Sequence, residues 1–112
     1  MASKATQHFV MQRLTAIIQV PLVIWLTVSA ILHARDDHYA FTEWVSRPIT
    51  AVLLIVAILS FSYHARLGLG EVVDDYVHET KRLKLSQALV VAYAAVLAIV
   101  ALFSVIAITL IA

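Results

Sequence analysis

"ITAVLLIVAILSFSYHARLGLG", residues 49–70, opens as a nearly unbroken apolar run and closes on a histidine, an arginine and two glycines. A helix of about 20 apolar residues crosses a bilayer. Residues 14–32 and 85–112 form two further runs of this kind. The chain is 62% hydrophobic and only 13% charged, and soluble domains carry about 25% charged residues. A chain of 112 residues has too small an interior to hide three such runs. The expected fold is therefore an all-α membrane protein with three transmembrane helices, at about 14–32, 49–67 and 85–112, in a single domain over residues 1–112.

Several function classes fall away on composition. Without cysteine there are no disulfides, no thiol chemistry and no thiolate ligands. Nothing resembles a phosphate loop, and no basic patch is large enough for nucleic acid. The run at 14–32 reads as a span rather than a signal peptide, because no Ala-x-Ala site with a polar mature domain follows it. Orientation follows from Lys and Arg in the short loops. Lys4, Arg13, Arg66, Lys81, Arg82 and Lys84 fall on one side, against Arg35 and Arg47 on the other. This places the amino terminus in the cytoplasm and the carboxyl terminus in the periplasm of a bacterial inner membrane. The mitochondrial inner membrane, with the amino terminus in the matrix, is the alternative.

The connecting segments carry their own signals. In "HARDDHYAFTEWVSRP", residues 33–48, Tyr39, Phe41 and Trp44 suit a membrane interface, and the segment is expected to form a short surface helix. Pro48 fits the first turn of the second span. Pro21 is expected to kink the first, Trp25 to pack against protein or lipid, and Gly70 to loosen the second span near its exit. The third run has almost no polar side chains and reads as packing and anchor.

His64 and Arg66 need a partner in the hydrocarbon: a polar group, a water cavity or a metal. At 3.6 residues per turn, Gly68, Glu71 and Asp75 lie on the face of His64. If helix continues that far, His64 and Asp75 share a stripe about 16 Å apart along the axis. Gly68 leaves the face below His64 bare, open to a flat ligand. Neutral imidazole is a common axial ligand of haem iron; a hydrogen bond to a neighbouring helix is the plainer explanation. His8, His33, His38 and His78 fall near or beyond the span ends, so a haem with two histidine ligands needs its second from another protein. Asp75 and Tyr76 suit a quinone head group, with the phenol donating to a carbonyl oxygen and the carboxylate holding water or protons. An interfacial tyrosine beside a solvated aspartate is the plainer explanation.

"SYHARLGLGEVVDDYVHE", residues 62–79, resembles the signature of the small membrane-anchor subunit of succinate dehydrogenase (respiratory complex II), of the haem b-containing type. That pattern is a histidine, a glycine four residues on, and Asp-Tyr eleven and twelve residues on, here His64, Gly68, Asp75 and Tyr76. "QRLTAIIQVPLVIW", residues 12–25, resembles the opening of the family's first helix, with Arg13 followed by Thr15 and Ala16. The resemblance implies that His64 is an axial ligand of haem b, shared with a second membrane-anchor subunit that supplies the other histidine. It implies that Tyr76 hydrogen-bonds a quinone, ubiquinone or menaquinone, and that Asp75 supports that site. Arg13 becomes a partner for a haem propionate or the quinone pocket, with positive-inside anchoring as the alternative. The further partners implied are the iron–sulfur and flavoprotein subunits, and the lipid bilayer. The chain would have no active site of its own. Two other readings compete: a haem-free packing subunit of another membrane complex, and a small self-assembling transporter.

Overall fold

A computed structural model describes residues 3–111, which form four helices and no strand. The hydroxyl of Ser3 accepts the Thr6 amide at 3.1 Å and caps α1 (Lys4–His33), satisfying one of the free N–H groups that every helix start leaves. α1 passes through Pro21 as one helix. After a short turn, Asp37 caps α2 (His38–Ser46) by accepting the Ala40 amide at 2.8 Å. Arg47 is extended, at φ −61° and ψ 134°, as the residue before a proline prefers. Pro48 then opens α3 (Pro48–Tyr76), where its missing N–H has no helical partner to lose. α4 (Thr80–Ile111) has 32 residues, about 48 Å of helix, and sets the 50 Å long axis of the molecule.

Hydropathy marks the hydrocarbon edge, and the helices run past it. α1 begins at Lys4 rather than 14, α3 continues to Tyr76 rather than 67, and α4 begins at Thr80 rather than 85. The end of α4 expected at residue 112 lies outside the described residues. Gly70 does not loosen α3, which stays helical through both glycines. All three extensions lie at the same end of the bundle, so polar turns of α1, α3 and α4 meet there. The first loop forms the expected short helix, α2.

α3 is the central element and packs against both α1 and α4, while α2 lies against α3 and α4. The buried residues of α1 are Thr15, Leu22 and Ser29. Each lies two turns from the next, so α1 presents a single stripe to the bundle. α3 contributes Thr50, Ala51, Ala57 and Leu67, and α4 contributes Ala94 and Val105. Most of these are small, which lets backbones approach closely where lipid gives no hydrophobic drive between helices. At the α2 end the helices are held by rings. Trp44 stacks on His33 at 4.5 Å and meets Trp25 at 6.1 Å, so Trp25 packs against protein and Trp44 is not a free interfacial ring.

Among the described residues no large side chain is fully buried, and Ile17, Phe103 and Leu110 are 67%, 71% and 80% exposed. An apolar surface of this extent belongs against lipid or another protein. α1, α3 and α4 are each long and apolar enough to cross a membrane. Expressed without other membrane subunits, the chain is expected to aggregate or be degraded. Recovery from detergent as a folded, monodisperse monomer, judged by light scattering and circular dichroism, would refute the dependence on a partner.

Candidate functional site

The site is built on the α1–α3 seam. Polar residues recur along α1 at 8, 12, 15 and 19, a spacing of four, three and four that keeps one face of a helix. α3 answers in the opposite direction. His8 Nε2 and Glu71 Oε1 lie 2.6 Å apart. Gln12 faces Gly68, where a Cβ would meet the Gln12 amide nitrogen at 3.8 Å. Thr15 Oγ1 and His64 Nδ1 lie 2.8 Å apart. Gln19 Nε2 donates to the Ser60 carbonyl at 3.2 Å. A file of polar groups thus runs from the exposed end of the bundle toward its middle, with His64 inside it. Gln12 Oε1 and Ser60 Oγ are buried and have no hydrogen-bond partner among the described residues.

His64 is half-buried and partnered within its own chain, but on one side only. Nδ1 meets Thr15, and Nε2 makes no hydrogen bond among the described residues. The other half of the bundle end is fixed through α4. Gln87 Nε2 donates to the Gly70 carbonyl at 3.0 Å and to Asp74 Oδ1 at 2.8 Å. A Cβ on Gly70 would come within 3.2 Å of Gln87 Oε1. Gly70 is therefore the seat on which Gln87 docks, which accounts for a glycine in the middle of a regular helix. Gly68 is under no such pressure, because 3.8 Å is ordinary van der Waals contact.

The remaining candidates do not converge inside this chain. Asp75 and Tyr76 close α3 on its exposed end, and Tyr76 is 80% exposed. Because helix does continue that far, His64 and Asp75 lie on one α3 stripe, three turns apart. Arg13 is exposed, with its guanidinium carbon 5.1 Å from the centre of the Phe9 ring. Arg66 is also exposed and lines a small polar cleft with His8, Asp74 and Gln87. Among the described residues, no group of three or more His, Asp or Glu side chains is placed to hold a metal ion. A groove of about 790 Å³ lies elsewhere, between α1, α2, α3 and α4 and lined by Leu26, Trp44, Val45, Leu54 and Val105. Sequence reading passed over Gln12, Gln19, Ser60 and Gln87, and it took Thr15 only as part of a motif. The four-three-four spacing on α1 was the available signal, but its meaning needs the partner helix.

Known proteins share this sequence pattern. A family model described as "Succinate dehydrogenase/Fumarate reductase transmembrane subunit" matches residues 1–106. The chain is similar to the succinate dehydrogenase hydrophobic membrane anchor subunit of Rickettsia bellii, 33% identical over 76 residues, covering 68% of this chain and 61% of the relative. Its similarity to the subunit of that name from Rickettsia conorii is 29% over 77 residues, covering 68% and 61%. The matched region thus spans about 61% of the length of these curated relatives. No solved structure matches the chain.

The Gly70–Gln87 contact gives a test by sign. Gly70→Ala alone is expected to lower the thermal stability of the assembled membrane complex, because the Gln87 amide must shift by a few tenths of an ångström against its two hydrogen bonds. In a Gln87→Ala background the same change is expected to raise stability, since a helical Gly→Ala is worth about 0.5–1 kcal/mol when nothing is displaced. Equal effects in both backgrounds, read from melting midpoints, would show that the seat is not used.

Proposed function

Because the chain belongs to the succinate dehydrogenase/fumarate reductase transmembrane subunit family, we propose that it anchors a succinate-oxidising flavoprotein and iron–sulfur pair to a bacterial inner membrane. In this reading it supplies one of two axial ligands to a haem b shared with a second anchor subunit, and part of a quinone-reduction site. The observation that carries the reading is His64: a half-buried imidazole on the central helix, held at Nδ1 by Thr15 and without a partner at Nε2 among the described residues. That is the donor a haem iron accepts from a histidine. Gly68, one turn away, would give that group clearance by its lack of a side chain, with the Gln12 amide lying opposite it in the chain itself. When bound, a haem supplies one-electron storage beside the quinone pocket.

The chain's own residues then have separate tasks. His64 would fix the haem through Nε2. The Tyr76 hydroxyl, exposed at the end of α3, would donate to a carbonyl oxygen of ubiquinone or menaquinone. Asp75 beside it would hold water and protons for the reduced ring. Their exposure in the isolated chain fits a pocket whose other walls come from partner subunits. Arg13 is placed either toward a propionate or as a cationic anchor at the membrane surface. The six cations at this end, Lys4, Arg13, Arg66, Lys81, Arg82 and Lys84, support a cytoplasmic placement for it, where the soluble subunits would dock.

Two substitutions test the assignment. His64→Ala is expected to abolish or alter the bis-imidazole spectrum of the purified complex, and an unchanged spectrum removes His64 as ligand. Tyr76→Phe keeps the ring and deletes only the donor. A hydrogen bond to an oxygen that gains charge is worth about 1.5–3 kcal/mol, or roughly one to two decades in rate when it acts on the slow step. Succinate–quinone reductase activity should fall accordingly, while succinate oxidation with an artificial acceptor at the soluble subunits stays near normal. Asp75→Asn should show the same split more weakly. If both activities fall together, or neither does, Tyr76 is a structural or interfacial residue.

A further inference from the structure

The bond between Thr15 and His64 has a direction. Thr15 Oγ1 lies 2.9 Å from the Met11 carbonyl and 3.1 Å from the Gln12 carbonyl, and a carbonyl oxygen only accepts. The hydroxyl has one hydrogen, shared between those two oxygens in the back-bonded arrangement that helical threonines adopt. Its lone pairs are then what face the imidazole at 2.8 Å. His64 must be the donor, with its proton on Nδ1 and a bare lone pair on Nε2. Thr15 is also one of the few buried side chains, at 7% exposure. The bonds to the Met11 and Gln12 carbonyls hold its oxygen in the rotamer that faces the ring.

We infer that Thr15 is the positioning residue of His64: it selects the ring tautomer that leaves Nε2 as a ligand, and it sets the rotation of the ring about its own bond to α3. This rests on the haem reading above for its consequence, though not for its geometry. A ligating histidine ordinarily gives its second N–H to an acceptor, and that bond raises the basicity of the ligating nitrogen. Here the acceptor comes from the neighbouring helix of the same chain. The ligand is therefore oriented by the packing of α1 on α3, with no residue of another subunit in the bond. Gln12 and Gln19, one turn to either side on α1, face Gly68 and Ser60 and do not replace it.

The test uses Thr15→Val, which keeps the branched shape and removes the acceptor, and Thr15→Ser, which keeps the acceptor. In the purified complex Thr15→Val is expected to retain haem about 10–100-fold less tightly. The haem that remains should show a shifted low-spin ferric resonance and a higher midpoint potential, since the imidazole donates less charge to ferric iron. Thr15→Ser should restore all three. Unchanged retention, resonance and potential in Thr15→Val would overturn the inference. The tautomer is read separately in complex assembled under haem-deficient growth, from the nitrogen-15 shifts of histidine, with His64 identified by its loss in His64→Ala. Protonated Nδ1 in the native chain and in Thr15→Ser, with protonated Nε2 appearing in Thr15→Val, is the expected pattern. A native ring protonated at Nε2 would overturn the inference whatever the haem does. Should the native complex hold no His64-dependent haem, the haem reading fails, and this second measurement still decides the role of Thr15.

Discussion

In hydrocarbon a polar side chain has no water to fall back on, so each one inside a span must be answered by another part of the protein. The α1–α3 seam is governed by that constraint. His64, Gln19 and Thr15 would each be costly facing lipid, and they are tolerable because they face one another or a backbone carbonyl. Each such bond adds little to stability: interhelical hydrogen bonds in membranes average about 0.6 kcal/mol. What they fix is register. Sliding α1 by one turn along α3 would leave Thr15 opposite Ser60 or Gly68, with His64 facing a different partner. The polar pairs determine which turn of α1 meets which turn of α3.

The two ends of the bundle are held by different chemistry. At the α2 end, Trp25, His33 and Trp44 pack ring against ring. At the opposite end, Gln87 ties α4 to α3 by two hydrogen bonds, and His8 meets Glu71 across α1 and α3. α3 is clamped from both sides there, with Thr15 two turns inside. The histidine thus stands on the one helix that both neighbours restrain, which suits a residue whose ring must keep a fixed direction. α4 has no comparable demand on it: its buried positions are Ala94 and Val105, and most of its surface is left for lipid or another chain.

Three spans were legible because length and hydropathy report the one property that a bilayer selects. Their ends were not, because composition changes where the hydrocarbon stops, whereas a helix stops where its backbone finds a cap. Ser3 and Val77 do that work, well outside the apolar runs. The glycines show the same gap. Gly70 read as a weak point, yet its meaning is a side chain on α4 seventeen residues further on. Within the site, His64 was legible on its own, since an imidazole in an apolar run needs explaining. Thr15 was not, because a threonine in a helix explains itself by bonding to its own backbone. Only the register of α1 on α3 shows that its oxygen has a second task. Asp75 and Tyr76 were singled out by their chemistry at the end of the second span and again by resemblance to a family, Arg13 by that resemblance, and the isolated chain leaves them at its surface.

That surface placement is itself informative about how such a chain divides its labour. A quinone must enter and leave, so groups that meet it belong where the protein ends and other surfaces begin. A haem ligand must stay, so it belongs on a seam made by the chain's own helices. On the proposed roles, Tyr76 on the last turn of α3 and His64 three turns further in would meet these opposite demands on one helix. The same periodicity that aligns His64 with Asp75 also carries any rotation of α3 to both. A change that turned α3 on α1, by disturbing Thr15 or Gln19, would move the ring and the exposed carboxylate together. The seam therefore links the two groups mechanically without any contact between them.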